Sequence, residues 1–429
     1  MLLKGASVAT LDPPSVARSD LRIEGARVAG GAPVLYPLPG EEVVDLGGAL
    51  VLPGLVNAHT HLYSALARGM PGPAEPPRSF LEILERVWWR LDRALDEESV
   101  HLSGLVGAIE AARSGTTLVF DHHSSPSSIG GSLATLRRAV EEVGLRSVLC
   151  YETTDRNGLE GRDAGIAENR DFLAGGPTRL TRGMVGAHAS FTLSDESLVA
   201  LAAAVAGSGS SLHVHAAEDG ADVDDCLRRC GKGVVERLRR HGLLVRRTLL
   251  AHGVHLSGPE LREAQSEGAW LVHCPRSNMN NAVGHAPTAA FRRAALGTDG
   301  LDEDLLAEAR AAFLKMRDAG RPDALEAASG LLAGGHRLAA EFLSQAFGTF
   351  GPGSPADLVV FDYQPPTPVT AANLAGHLLF GLDRSHVRST MVAGRFVLRD
   401  RRIATVDEGT VFARARAAAG RLWERMLSL

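Results

Sequence analysis

Lysine is nearly missing from this 429-residue chain: Lys4, Lys232 and Lys315 are the only three, and arginine carries the rest of the basic charge. The gap between Lys4 and Lys232 limits the metal chemistry considered below. Cysteine is scarce as well. Cys150, Cys226, Cys230 and Cys274 are too few for a disulfide framework. Cys226 and Cys230 stand one helical turn apart in a polar segment and read as reduced. No apolar run is long enough to cross a bilayer. The opening MLLKGASVATLD lacks the apolar core of a signal peptide, so a cytoplasmic protein is expected. A net charge of -5 leaves no electrostatic footprint for nucleic acid or an anionic membrane. With 45% apolar and 22% charged residues the composition is that of an ordinary soluble protein. Its length suits one large barrel plus a smaller appendage.

The stretch LVLPGLVNAHTHLYSALARGM, residues 50–70, is the point from which the rest is organised. Leu50 to Val56 carries no charge and reads as a buried strand. It delivers His59 and His61, and on extended backbone residues two apart point the same way, so both imidazoles face one point beyond the strand end. Two converging imidazoles are half of a zinc-type site, although the HxH pair alone is a weak signal.

Residues 1–50 alternate short apolar stretches with Gly and Pro turns, as a small antiparallel unit does. Residues 63–96, with a Pro-rich loop and an aromatic segment around Trp88 and Trp89, read as a lid or pocket wall. From residue 98 helix and strand alternate. Counted from Leu50, the strand candidates continue at Thr116–Asp121, Arg146–Tyr151, Gly183–His188, Ser211–His215, Thr248–His252, Trp270–His273 and Ala294–Asp299. Eight strands alternating with helices are the layout of a (β/α)8 barrel of the TIM type. Residues 347–429 return to strand-and-turn texture and end in a helix from Glu408 to Met426. The expected organisation is therefore a barrel over 51–346 and a small composite β-sandwich made by residues 1–50 and 347–429, with the last helix packed across it.

Several of these strands end on histidine or aspartate, and in such a barrel the C-terminal strand ends form the active face. The set is His59, His61, Asp121, His188, His215, His252, His273 and Asp299. Six histidines at one rim are not a chance outcome, because each buried polar group needs a partner. His59 and His61 from the first strand, His215 from the fifth and Asp299 from the eighth complete a metal site. Three imidazoles and a carboxylate suit Zn²⁺, or alternatively Fe²⁺, with room for a water.

PGLVNAHTHL, HVHAAED, LAHGVHLS, VHCPRSNMN and GTDG resemble, in order, the motifs of the amidohydrolase superfamily, in its chlorohydrolase-like and aminohydrolase-like deaminase branch. HLYSALARGMP, WWRLDRALD and SNMNNAVG are most similar to SsnA-type aminohydrolases. The resemblance spans nearly the whole length, including the β domain split between the chain ends. It implies metal ligands at His59, His61, His215 and Asp299, a proton-shuttling Glu218, and His252 in contact with the attacking water or the substrate. His188 and His273 match positions that touch substrate. The implied reaction is hydrolysis of a non-peptide C–N bond: hydroxide formed at the metal attacks an amidine-like carbon of a purine, pyrimidine or triazine-like ring. Asp299 takes up the proton, Glu218 protonates the ring nitrogen, and ammonia leaves. Relatives with two metals bridge them by a carboxylated lysine on the fourth strand. GMVGAHASF offers none, so one divalent ion per chain is expected.

Four further residues are candidates for substrate binding. Trp88 and Trp89 could stack on a flat heterocycle, with core or lid packing as the plainer role. Arg68 could hold an anionic group, or be a solvated surface arginine. Asp121 ends the second strand on the right face, beside His122 and His123. Two other functions fit the same residues: hydrolysis of another C–N or C–Cl bond, and a silent metal-holding subunit that binds or assembles without turnover. The expected partner is a small heterocyclic substrate, with a homodimer plausible.

Overall fold

In the computed structural model, which describes residues 1–290 and 292–429, eight parallel strands follow one another around a barrel in chain order. They are β1 (Leu55–Thr60), β2 (Thr116–His123), β3 (Arg146–Thr153), β4 (Val185–Ala189), β5 (Leu212–Ala216), β6 (Leu249–His252), β7 (Trp270–His273) and β8 (Ala294–Leu296). Every one is buried along its whole length. That is why they read as unbroken apolar runs instead of alternating ones. The barrel closes where the backbone N–H groups of Thr298 and Asp299 donate to the His59 carbonyl at 2.9 and 3.0 Å, and Thr60 bridges Asp299 in parallel register.

A second, mostly antiparallel sheet is built from both chain ends. Its order is Arg402–Ile403, Arg395–Arg399, Val387–Val392, Leu358–Phe361, Leu50–Pro53, Leu2–Leu11, Pro14–Glu24, Arg27–Ala32, with Val43–Asp45 beside Leu2–Leu11. The fold is a (β/α)8 barrel carrying a composite β domain. A buried ion pair ties the two units together: Arg146, at the start of β3, donates from Nε and Nη2 to the Asp357 carboxylate at 2.5 and 3.1 Å. Among the described residues no helix is long and apolar enough to cross a membrane.

The structure corrects three readings of the sequence. The run Leu50–Val56 is two strands. Leu50–Pro53 pairs with Leu2–Leu11 and Leu358–Phe361 in the end sheet, and only Leu55 onward enters the barrel. The chain changes sheet at Gly54, whose N–H donates to the Asp357 carbonyl at 3.0 Å. A Cβ there would fall 2.2 Å from the Thr117 side chain, so the crossing needs glycine. The third barrel strand runs to Thr153, two residues past the expected Tyr151. A helix over Gly158–Ala174 follows it.

The last helix, Glu408–Ser428, lies against the barrel and the lid instead of crossing the β domain. Val411, Ala415, Leu422 and Met426 join an apolar cluster with Leu62, Leu91 and Leu102. Trp423 Nε1 donates to the Leu66 carbonyl at 2.9 Å, and Arg425 Nε donates to that of Ala94 at 2.8 Å. These bonds clamp both ends of the 62–94 segment, and so place the wall of the cavity described next.

Candidate metal centre and the cavity above it

β1 carries His59 next to its last residue, Thr60, and His61 follows directly. The His61 ring donates from Nδ1 to the His122 carbonyl at 2.6 Å, and the His215 ring, on β5, donates from Nδ1 to the His188 carbonyl at 2.9 Å. Each of these bonds fixes the tautomer that leaves a lone pair on Nε2. The two Nε2 atoms meet at 3.2 Å. Asp299 Oδ1 stands 2.9 Å from His61 Nε2 and 3.3 Å from His59 Nε2. His59 Nδ1 is engaged with His213 Nε2 at 2.9 Å, while its own Nε2 is buried with no hydrogen-bond partner.

Lone pairs from several imidazoles and a carboxylate oxygen, all directed at one another, repel unless a cation lies among them. The ligand atoms of His59, His215, His252 and Asp299 lie within 4.8 Å of one another, so the cluster could hold one metal ion. Electrostatics favour the same conclusion. Burial pushes the His61 imidazole down, yet the carboxylates of Asp299, Glu152 and Asp121 together outweigh it and raise it to about 9. Burial also opposes the Asp299 carboxylate, but His59 and His61 hold it well below the usual carboxylate range. A divalent ion satisfies this demand for positive charge better than a proton does. The site is also strained. Asp299 and His252 adopt φ of 55° and 70°, in the left-handed region that non-glycine residues seldom occupy. Gly297 keeps the eighth strand close, since a Cβ there would meet the His59 carbonyl at 2.8 Å.

Groups able to handle protons border the cluster. Glu218, two residues beyond β5, has Oε2 3.6 Å from His252 Nε2, and Oε1 accepts from Asn281 Nδ2 at 3.3 Å. Burial, opposed by the nearby His252, lifts the Glu218 carboxyl to about 7. The His252 ring donates from Nδ1 to Asn278 Oδ1 at 2.9 Å, which turns its Nε2 toward Glu218. Ser277 Oγ donates to Asp299 Oδ2 at 2.5 Å and fixes that carboxylate.

A cavity opens above the cluster, with His61, His215, Glu218 and Asp299 in its lining. Of the residues expected to bind substrate, His188 and Trp88 line it. His273, Asp121 and Arg68 do not. Asp121 is fully buried beneath the first turn after β1, where it accepts the Leu62 N–H at 2.7 Å, and burial raises its carboxyl to about 7. His273 is buried at the end of β7, edge-on to His285 at 6.3 Å between ring centroids. Arg68 is 57% exposed and forms a bidentate pair with Glu110 on the outer surface. An Arg68→Ala enzyme should therefore keep its kcat/KM and lose no more than about 0.5 kcal/mol of stability, an exposed pair being worth little. Initial rates and a thermal melt check both.

Trp89, named with Trp88 as able to stack on a ring, lines the cavity too, and the structure adds lining residues that the sequence reading missed: Asp92, Glu152, Arg156 and Asn281. Glu152 was detectable, since the rule that strand ends carry function applies to β3 once that strand runs past Tyr151. Asp92 depends on how the lid helix lies, which no local pattern encodes.

Comparison with known proteins follows this geometry. A family model described as the amidohydrolase family matches residues 50–397. A 5-methylthioadenosine/S-adenosylhomocysteine deaminase of Moorella thermoacetica is 31% identical over 436 residues, covering 96% of this chain and 97% of the relative. A 5'-deoxyadenosine deaminase of Methanosarcina mazei is 30% identical, covering 100% and 99%. Among solved structures, an adenosine deaminase from Xanthomonas campestris with bound zinc superposes with a TM-score of 0.85 at 23% identity, covering 100% of this chain and 98% of that one. An atrazine chlorohydrolase from Arthrobacter aurescens complexed with zinc gives 0.83 at 21%, covering 97% and 99%.

Proposed function

The chain belongs to the amidohydrolase family, and we propose that it is a metal-dependent aminohydrolase, releasing ammonia from an amino-substituted nitrogen heterocycle. The observation that carries this reading is the pairing of Glu218 and His252 beside the cluster. Glu218 is not among the grouped ligand atoms, it lines the cavity, and its Oε2 stands 3.6 Å from His252 Nε2. His59, His61, His215 and Asp299 would hold one ion, taken as Zn²⁺ from the donor set, with Fe²⁺ as the alternative. Such an ion supplies Lewis acidity that brings the pKa of a water toward neutrality. The enzyme is expected to be cytoplasmic and to pair as a homodimer through faces away from the cavity.

The chain's own residues do the rest. Asp299, held by Ser277, takes the proton of the attacking water at Oδ1. Glu218, poised near neutrality, carries a proton to the ring nitrogen beside the attacked carbon. His252, its Nδ1 anchored on Asn278, directs Nε2 at the reacting centre and polarises it. As the new C–O bond forms the ring nitrogen gains its hydrogen. When the C–N bond breaks, the adduct's hydroxyl gives its proton to Glu218 and becomes the carbonyl, and the amino group leaves as ammonia with the proton held by Asp299. Phe80, Leu84 and Trp88 wall the cavity and exclude bulk water.

The test is ammonia release by the zinc-loaded protein across amino-purines, amino-pyrimidines, amino-triazines and adenosine-type nucleosides, together with metal analysis. Ammonia from at least one ring and one equivalent of metal per chain are expected. Chloride release from a chlorotriazine, with no ammonia from any ring, would overturn the deaminase reading. Two equivalents of metal would overturn the single ion.

A further inference from the structure

The end of the cavity under the lid carries polar atoms that the mechanism does not use. Arg156 is pinned there. Its Nη2 donates to Glu152 Oε1 at 2.7 Å and lies 3.6 Å from Asp92 Oδ2, and its Nε donates to Thr154 Oγ1 at 3.1 Å. Its guanidinium carbon sits 4.7 Å from the centre of the Trp89 ring. Nη1 makes no hydrogen bond among the described residues, although Arg156 lines the cavity. Trp89 Nε1, a donor, and Asp92 Oδ1, an acceptor, are both buried without a partner. Trp89 and Asp92 are three residues apart on one helix, and so share a face.

Buried polar groups are almost always paired, so an unpaired set in a cavity wall points to a ligand that completes it. Two donors next to an acceptor match an edge that offers a carbonyl oxygen next to an N–H. A sugar diol could offer similar groups, but the spacing argues against one. A Glu152 oxygen and ring nitrogens of His188 and His215 lie within 4.8 Å of one another. Arg156 is one hydrogen bond beyond that glutamate. The recognising groups are thus joined to the cluster through Glu152 alone, a short span that favours a base without its ribose.

We propose that Arg156, Trp89 and Asp92 read the cyclic-amide edge of an amino-oxo heterocycle, making the substrate a free base of the guanine or isocytosine kind and not an adenosine-type nucleoside. The carbonyl accepts from Arg156 Nη1 and Trp89 Nε1, and the ring N–H donates to Asp92. This rests on the aminohydrolase reading for the reaction itself, but recognition can be measured without turnover.

The experiment compares kcat/KM of the zinc-loaded enzyme for guanine and isocytosine with that for adenine, guanosine and 5'-methylthioadenosine. Calorimetry with xanthine, the deaminated form of guanine, reads binding alone. The amino-oxo bases should lead by about 100-fold or more, because a site built to hydrogen-bond a group rejects analogues lacking it. Trp89→Phe, which removes one N–H and keeps the ring, should raise KM for isocytosine by about 3–10-fold at little cost in kcat. Arg156→Gln should abolish the preference and weaken xanthine binding with unchanged metal content. A Trp89→Phe enzyme with wild-type KM, or xanthine binding that is absent or indifferent to Arg156, would overturn the proposal. Better turnover of 5'-methylthioadenosine than of any amino-oxo base would overturn it while leaving the deaminase standing. If nothing is deaminated but xanthine binds in an Arg156-dependent way, recognition stands and the reaction assignment falls.

Discussion

Replacing Asp299 with asparagine should abolish turnover, with a fall in kcat on the order of 10⁴-fold or more, because a unit of acting groups fails together. Asparagine keeps the shape and the hydrogen bond from Ser277, but it gives up the charge that His59 and His61 face at 3.3 and 2.9 Å. It also cannot take up the proton of the attacking water. His215→Asn should lose the ion as well as the activity. The contrast with Ser277→Ala separates roles. That serine only positions Asp299, so its loss should cost about 10–100-fold. Metal content and kcat measured on the three variants check the ordering, and an active Asp299→Asn enzyme with its metal retained would sink the assignment.

Glu218→Gln should lower kcat by about 10²–10⁴-fold, the usual share of a positioned general acid and base, while the metal stays bound. The pH profile carries the more specific signature. Burial lifts the Glu218 carboxyl to about 7 against an ordinary 4.5. The protonated form that delivers a proton to the ring is therefore present below about pH 7 and is lost as the pH rises through it. In the wild type kcat/KM should fall on the alkaline side of that value. In Glu218→Gln the residual activity should lack that limb, since an amide does not titrate. Near-wild-type turnover in the variant would remove Glu218 from the reaction.

Both predictions concern residues that the sequence alone had marked, and the reason is geometric. β1, β5, β6 and β8 are parallel strands of one barrel, so their C-terminal ends lie at one rim. Histidines and an aspartate at those ends are neighbours before any side chain is placed. The HxH spacing and the lone aspartate of GTDG needed only the strand period and the rule of the rim. The expected substrate residues that do not line the cavity are those for which orientation mattered more than position. Asp121 lies near the end of β2, yet it accepts a backbone N–H beneath the first turn after β1. Arg68 follows the catalytic strand in sequence, yet Glu110 draws it to the outer surface.

The sequence by itself determined the alternation of helices and strands, the composite β domain and the donor atoms gathered at the barrel mouth. All of these follow from local periodicity and from strand order, which chain connectivity dictates. Only the tertiary structure decided where the apolar run at 50–56 divides, how the last helix holds the lid, and which polar groups close the far end of the cavity. Each of those depends on contacts between segments far apart in the chain. Arg156 meets Asp92 and Trp89 because the Glu408–Ser428 helix fixes the lid helix over β3, and no local pattern in any of the three segments specifies that meeting.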